Sequence, residues 1–211
     1  MRIAVMLLAL SGAAFAGAPP TGDQEGERYR LEMELDRHAG ATRWKGVERT
    51  YQKLLDLGIP LSTGTHYTAA IAAENQGDVL QTWLRLERAI RHENALEPAA
   101  PGAPPTYNTS VPASVDHADP TTQAALQTYN GLLERYGRAS ITVEKGRIPA
   151  LVRMGDKPFG STERGAITSG QEQLASNSRF VGLLPVGRYM VDGEMFEVQP
   201  NELTVVRVVA R

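Results

Sequence analysis

Two glycines, Gly155 and Gly160, bracket four residues ahead of Ser161-Thr162, the spacing of loops whose backbone amides cradle phosphate groups. A nucleoside triphosphate site of that kind needs a lysine after the second glycine to reach the β- and γ-phosphates. Ser161 stands there instead, and Pro158 removes one amide donor. The segment therefore reads as a turn capped by Ser161 or Thr162 ahead of a helix. His38, His66, His92 and His117 are scattered, with no two one helical turn apart, so no zinc-type ligand pair is expected. His66 reads as a packed or half-exposed residue, and His117 as a solvated one. The chain has no cysteine, which removes thiolate metal centres, disulfide scaffolds and thiol nucleophiles together. No Gly-x-Ser-x-Gly elbow occurs. The carboxylates between Glu25 and Asp36 interleave with Arg28, Arg30 and Arg37, the pattern of a solvated helix face with ion pairs one turn apart rather than of a glycosidase pair. The reading is of no catalytic residues, no cofactor and no metal, with an enzyme lacking any short motif kept as a remote alternative.

Charge and leader bound the compartment. With 22 basic against 24 acidic side chains, a net charge of −2 does not suit a phosphate backbone, so no nucleic acid partner is expected. Arg2, the apolar run Ile3 to Leu10 and the small-x-small Ala14-Phe15-Ala16 read as a signal peptide over 1–16, with Ala18 as the other cleavage position. The apolar run is shorter than the roughly 18 residues that a membrane span needs. A soluble periplasmic or secreted protein, with no transmembrane span in the mature chain, is the expectation.

Three segments must then position whatever surface does the work. Residues 27–96 are charged and patterned at helical spacing. Residues 97–118 (EPAAPGAPPTYNTSVPASVD and its flank) are rich in Pro, Ala, Ser and Thr and read as a stiff linker; Asn108-Thr109-Ser110 within it matches a glycosylation sequon. Residues 119–211 return to apolar patterning. The spacing predicts helices over Arg28–His38, from Trp44 to Gly58, over Thr65–Gln76, and from Leu80 to about His92. Gly77-Asp78 is expected to end one helix and cap the next, with Gln81 in the capping box.

Val47, Tyr51 and Leu54 map onto Thr82, Leu86 and Ala89 at one constant offset of 35. With Ala70, Gly77, Leu86 and Ala89 as small, turn, large and small positions, the segment resembles tetratricopeptide repeats. Two degenerate units are assigned, about Arg28–Leu61 and Thr63–Leu96, the earlier departing through Leu35 and Val47. An unrelated four-helix bundle stays open beside that reading. Two units are few for a free-standing array, so the helix starting at Asp119-Pro120 and carrying Leu126, Tyr129, Leu133 and Tyr136, with Gly137 at its exit, is expected to pack back as a cap.

Beyond it the chain predicts strands at Ala139–Glu144 and Ala150–Met154, a helix over Ser161–Ala175, and a closing meander of Arg188–Val191, Met195–Val198 and Leu203–Val209. Pro185-Val186-Gly187-Arg188-Tyr189, followed by Asp192-Gly193 and Phe196, resembles the PEGA or carboxypeptidase-regulatory-like β-sandwich modules. That resemblance implies an extracytoplasmic accessory domain without catalytic residues. The fold class expected is α+β: amino-terminal antiparallel helical hairpins, then a small antiparallel β-sandwich-like domain with one or two helices.

If the repeats hold, the first helix of each unit lines a groove carrying Tyr29, Glu32 and Asp36, then Tyr67, Ile71, Glu74 and Asn75. Tyrosines beside carboxylates suit a peptide or basic segment of an envelope protein; the alternative is that these side chains merely face water or the linker. The functional expectation is a non-enzymatic interaction or scaffold protein of the bacterial envelope. Its rival is an accessory module whose β half binds cell-wall glycan.

Overall fold

The computed structural model describes residues 22–91, 119–144, 149–155 and 160–208. The expected leader, the linker with its sequon, His92, His117, and positions 156–159 of the glycine-bracketed loop lie outside the described residues. The chain is α+β, as expected, with four helices packed as hairpins before a two-sheet carboxyl-terminal part.

Helix α1 (Gly22–Gly40) starts earlier than the periodicity predicts. Only Leu31 and Leu35 are buried on it, so its first turns rest on acidic residues near the helix amino terminus and on ion pairs one turn apart. Glu27–Arg30 (2.6 Å) and Arg30–Glu34 (3.6 Å) are those pairs, and His38 Nε2 lies 3.5 Å from the Glu34 carboxylate. Helix α2 (Trp44–Asp56) buries Val47, Tyr51 and Leu54 against Leu31 and Leu35, and Gly58 takes the expected left-handed conformation at φ +67°. Helix α3 (Thr63–Asn75) is capped by Ser62, whose side chain accepts from the Thr65 amide. Between α3 and α4 (Val79–Arg91) the Gly77-Asp78 elbow forms as predicted. Gly77 sits at φ +78°, the Asp78 amide donates to the Ala73 carbonyl at 3.0 Å, and the Asp78 carboxylate accepts from the Gln81 amide at 3.0 Å.

The residues matched by the 35-residue offset are all buried: Val47, Tyr51 and Leu54 in one hairpin, Thr82, Leu86 and Ala89 in the other. Helix α3 touches both α1 and α2, and α5 (Pro120–Arg135) stands in the same relation to α3 and α4. The predicted cap is therefore in place. Asp119 starts α5 by accepting from the Thr121 and Thr122 amides at 2.7 and 3.2 Å, with Pro120 in the first turn.

The exit of α5 corrects the sequence reading. Tyr136 is already extended (φ −131°, ψ 140°) and Gly137 lies inside strand β1 (Tyr136–Val143), so no glycine turn separates helix from strand. Strand β2 is Leu151–Met154, and α6 runs Ser161–Asn177. The cap of α6 is not a hydroxyl of Ser161 or Thr162. Gly160 precedes the helix, and the Glu163 carboxylate accepts from its amide at 3.1 Å.

Strand β3 (Arg179–Pro185) went unpredicted because it is buried on both faces. Phe180 and Leu184 enter the sheet core while Leu183 joins the helical core, so no alternation marks it. Of the predicted meander only the hairpin of β4 (Gly187–Val191) and β5 (Glu194–Val198) forms, around Asp192 and Gly193 with φ +48° and +86°. After Asn201 (φ +61°) the chain leaves that sheet, and β6 (Leu203–Val208) lies parallel to β1. The sheets are β3-β1-β6 and β2-β4-β5, with β1–β3 antiparallel, so the expected all-antiparallel sandwich has one parallel pairing. Alternation along β6 says which side chains turn inward, but not which sheet receives them.

Pro185-Val186-Gly187 is the corner at which the chain changes sheets. Gly187 sits at φ +148°, and the fully buried Tyr189 donates its hydroxyl to the Pro185 carbonyl at 2.7 Å. The core has three parts. Leu31, Leu35, Val47, Tyr51 and Leu54 hold the first hairpin. Ile141, Leu174, Phe180, Leu184, Tyr189 and Val198 fill the space between the two sheets and α6. Trp83, Leu86, Tyr129, Leu133, Tyr136, Ala166 and Leu183 join the helices to the sheets.

Candidate interaction surface

The seven side chains singled out from the sequence all fall on α1 and α3, where they divide into two groups. Glu32, Tyr67 and Glu74 fasten neighbouring helices. Glu32 accepts from the Thr65 hydroxyl at 3.2 Å, tying α1 to α3. Tyr67 meets the Thr128 hydroxyl at 3.4 Å, and Glu74 pairs with Arg135 at 3.2 Å, both tying α3 to α5. Glu32 and Tyr67 are one repeat offset apart, so equivalent positions do equivalent work. Ile71 is half-buried, and its carbonyl accepts from the Asn75 amide side chain at 2.8 Å. Tyr29 and Asp36 are exposed on α1, as is Asn75 at the end of α3.

One residue that sequence reasoning missed completes the α1 face. Met33 follows Tyr29 by one turn, and the two are 56% and 66% exposed. Among the described residues these are the large apolar side chains that the helical half leaves open to solvent. The signal was available as an i, i+4 step, but a lone methionine in a charged helix reads as nothing in particular.

Two buried polar ties also join the helices. Arg85 of α4 is bidentate to Glu48 of α2, both contacts at 2.6 Å, and donates to the Ala69 carbonyl of α3 at 2.9 Å. Its guanidinium lies 4.7 Å from the centroid of Tyr51, whose hydroxyl meets His66 Nδ1 at 2.8 Å. His66 is thus a packed residue, as expected. Burial pushes the Tyr51 phenol up, against the pull of Arg88 and Arg85. The second tie runs from Trp83 Nε1 to the Tyr129 hydroxyl and from there to Glu87, both at 3.4 Å. Trp83 is fully buried, in keeping with a core role, and Trp44 is half-buried.

Glu87 carries a pH consequence. Desolvation raises its carboxyl above the ordinary range, outweighing Arg91 and the Tyr129 hydroxyl. A carboxyl raised in the folded state binds more protons there than in the unfolded chain. Its stability penalty is absent below the unfolded value, grows as pH rises through that value, and is complete above the folded one. Glu87→Gln is therefore expected to raise the urea midpoint at pH 7 and leave it unchanged at pH 4, as read from paired denaturation curves.

An open cavity of about 270 Å³ lies where the α3–α4 elbow meets α6 and β3. Gln76, Asp78 and Ser169 supply its polar wall, and Leu80, Phe180 and Leu183 its apolar one. No group of three or more His, Cys, Asp or Glu side chains placed to hold a metal ion occurs among the described residues. Nor is any described helix long and apolar enough to cross a membrane. No family model, no curated protein and no solved structure matches the chain.

Proposed function

We propose that the chain is an exported, non-enzymatic scaffold of the bacterial envelope that holds a protein partner on its helical half. The observation that carries this reading is the α1 face, where Tyr29 and Met33 stand exposed one turn apart beside Asp36. An aromatic and a thioether give adaptable contact area at little entropic cost, and the neighbouring carboxylate selects a basic segment. The stacking of α3 on α1–α2 and of α5 on α3–α4 supports a tetratricopeptide-like array, whose successive first helices present such a face. The leader-like segment supports export to the periplasm or medium, and the sheet-changing corner around Tyr189 supports a PEGA-like accessory role for the β half.

The test uses the full chain as bait in envelope fractions, with chemical cross-linking and identification of the captured species. Charge reversal at Glu32 or Glu74 would also loosen helix packing, so the informative variant is Tyr29→Ala with Met33→Ala and Asp36→Lys. A specific partner should be lost by about ten-fold or more, since a central aromatic contributes about 2 kcal/mol to such contacts. Undiminished capture by this variant sinks the reading.

A further inference from the structure

Three of the six methionines in the chain, Met154, Met190 and Met195, fall on three different strands and share one outward face of the β2-β4-β5 sheet. Tyr189, Val191 and Val198 are buried between the sheets, so alternation turns Met190 outward with Val152, Met154 and Met195. The register places Met190 between Val152 of β2 and Met195 of β5. Met154 is paired with Arg188, two residues before Met190.

The two-residue turn at Asp192-Gly193 closes on the Val191–Glu194 pair. The next pair, Met190–Met195, is then of the kind that brings side chains closest, with Cα atoms about 4.5 Å apart. Met154 is a diagonal neighbour at about 7–8 Å, within reach of a long side chain. Methionine usually fills gaps in cores, yet no methionine is among the buried core residues described. Instead Met195 is 76% and Met154 44% exposed. Exposed strand positions favour β-branched and aromatic residues, so folding alone does not account for three thioethers here.

A second copy of the chain is a poor occupant for this face. Six outward positions on three strands, at strand spacings of about 4.8 Å, span only a few hundred Å², short of the roughly 800 Å² per partner of a stable interface. A small ligand fits better. Thioether sulfur is neutral and polarisable, and it selects soft monovalent d10 cations over Mg²⁺ or Ca²⁺. The charged side chains on the face are Arg188 and, directly opposite it, Glu197, which balance, so no net charge on the face repels a cation. With no cysteine anywhere in the chain, no thiolate competes for the ion.

We infer that Met154, Met190 and Met195 form a thioether site for copper(I). The site lies on the β2-β4-β5 sheet, away from α1, and does not depend on the scaffold reading.

The experiment titrates the full-length protein anaerobically with Cu(I) against a chromogenic chelator. In parallel, Ag(I) is titrated while the ¹³C ε-methyl signals of the methionines are followed by NMR. One equivalent should bind. The signals of Met154, Met190 and Met195 should shift together while that of Met33 stays in place. Met190→Leu keeps the side-chain volume and should leave the circular dichroism unchanged. It should weaken binding by about ten-fold or more, the least expected when even an outer-shell partner of a metal is removed; Met33→Leu should not. Equal shifts at Met33, undiminished affinity in folded Met190→Leu, or displacement of the ion by an equimolar amount of Zn(II) would overturn the assignment.

Discussion

Replacing Gly137 by alanine should lower the stability of the protein by about 3 kcal/mol, near the upper end for overpacking a filled core. Gly137 has ordinary extended backbone, so the expectation does not rest on a left-handed conformation. It rests on space. A Cβ built there runs into the backbone carbonyl of Gln199, and it lies 2.5 Å from Val198 Cγ1. The neighbouring turn is bonded on both sides of this point. The Asn201 amide donates to the Leu133 carbonyl at 3.2 Å, and the Arg138 amide to the Glu202 carbonyl at 3.0 Å. Relief would require moving backbone that ties β6 to the end of α5, rather than swinging a flexible side chain.

Gly131, only six residues earlier in α5, makes the control. Nothing lies within 4 Å of its projected Cβ, so Gly131→Ala should raise stability by about 0.5–1 kcal/mol through lost unfolded-state freedom. Urea denaturation of the two variants should move the midpoint in opposite directions. A loss under about 1 kcal/mol for Gly137→Ala would mean that the turn does not sit over β1.

The second large effect concerns the charge at the centre of the helical half. Arg85 is 5% exposed in its side chain, whereas its partner Glu48 is 38% exposed. That asymmetry decides which truncation is worse. Glu48→Ala strands a buried guanidinium and should cost about 3 kcal/mol. Arg85→Met leaves a carboxylate already in reach of water and should cost about 1 kcal/mol, chiefly through the lost bond to the Ala69 carbonyl. The sharper expectation is one of sign. The double variant should be more stable than Glu48→Ala alone, because the second change removes the stranded charge. A double variant less stable than that single one would show that Arg85 holds α4 to α2 and α3 mainly through contacts other than this ion pair.

The candidate site was only partly legible in the residue order. The α1 and α3 positions were identifiable because helical spacing puts Tyr29, Glu32 and Asp36 on one face. Their division into exposed contacts and helix fasteners was not, since Glu32 meets Thr65 and Glu74 meets Arg135 across 33 and 61 residues of chain. Distance along the chain likewise hid Met154, whose strand β2 meets β4 only after folding, whereas Met190 and Met195 face each other across a hairpin that the sequence does mark.

Local signals settled the local features. The elbow at Gly77-Asp78, the Asp119-Pro120 helix start, the buried faces of α2 and α4 and the Asp192-Gly193 hairpin all follow from backbone preferences and periodicity within about ten residues. Tertiary structure decided what depends on two partners. It made β3 a strand buried on both faces, carried β6 past its neighbour to lie parallel to β1, and turned the expected exit glycine of α5 into a point of close backbone approach. The physical reason is that capping and periodicity act between near neighbours in the chain, whereas sheet membership and steric clearance are set by segments that meet only after folding.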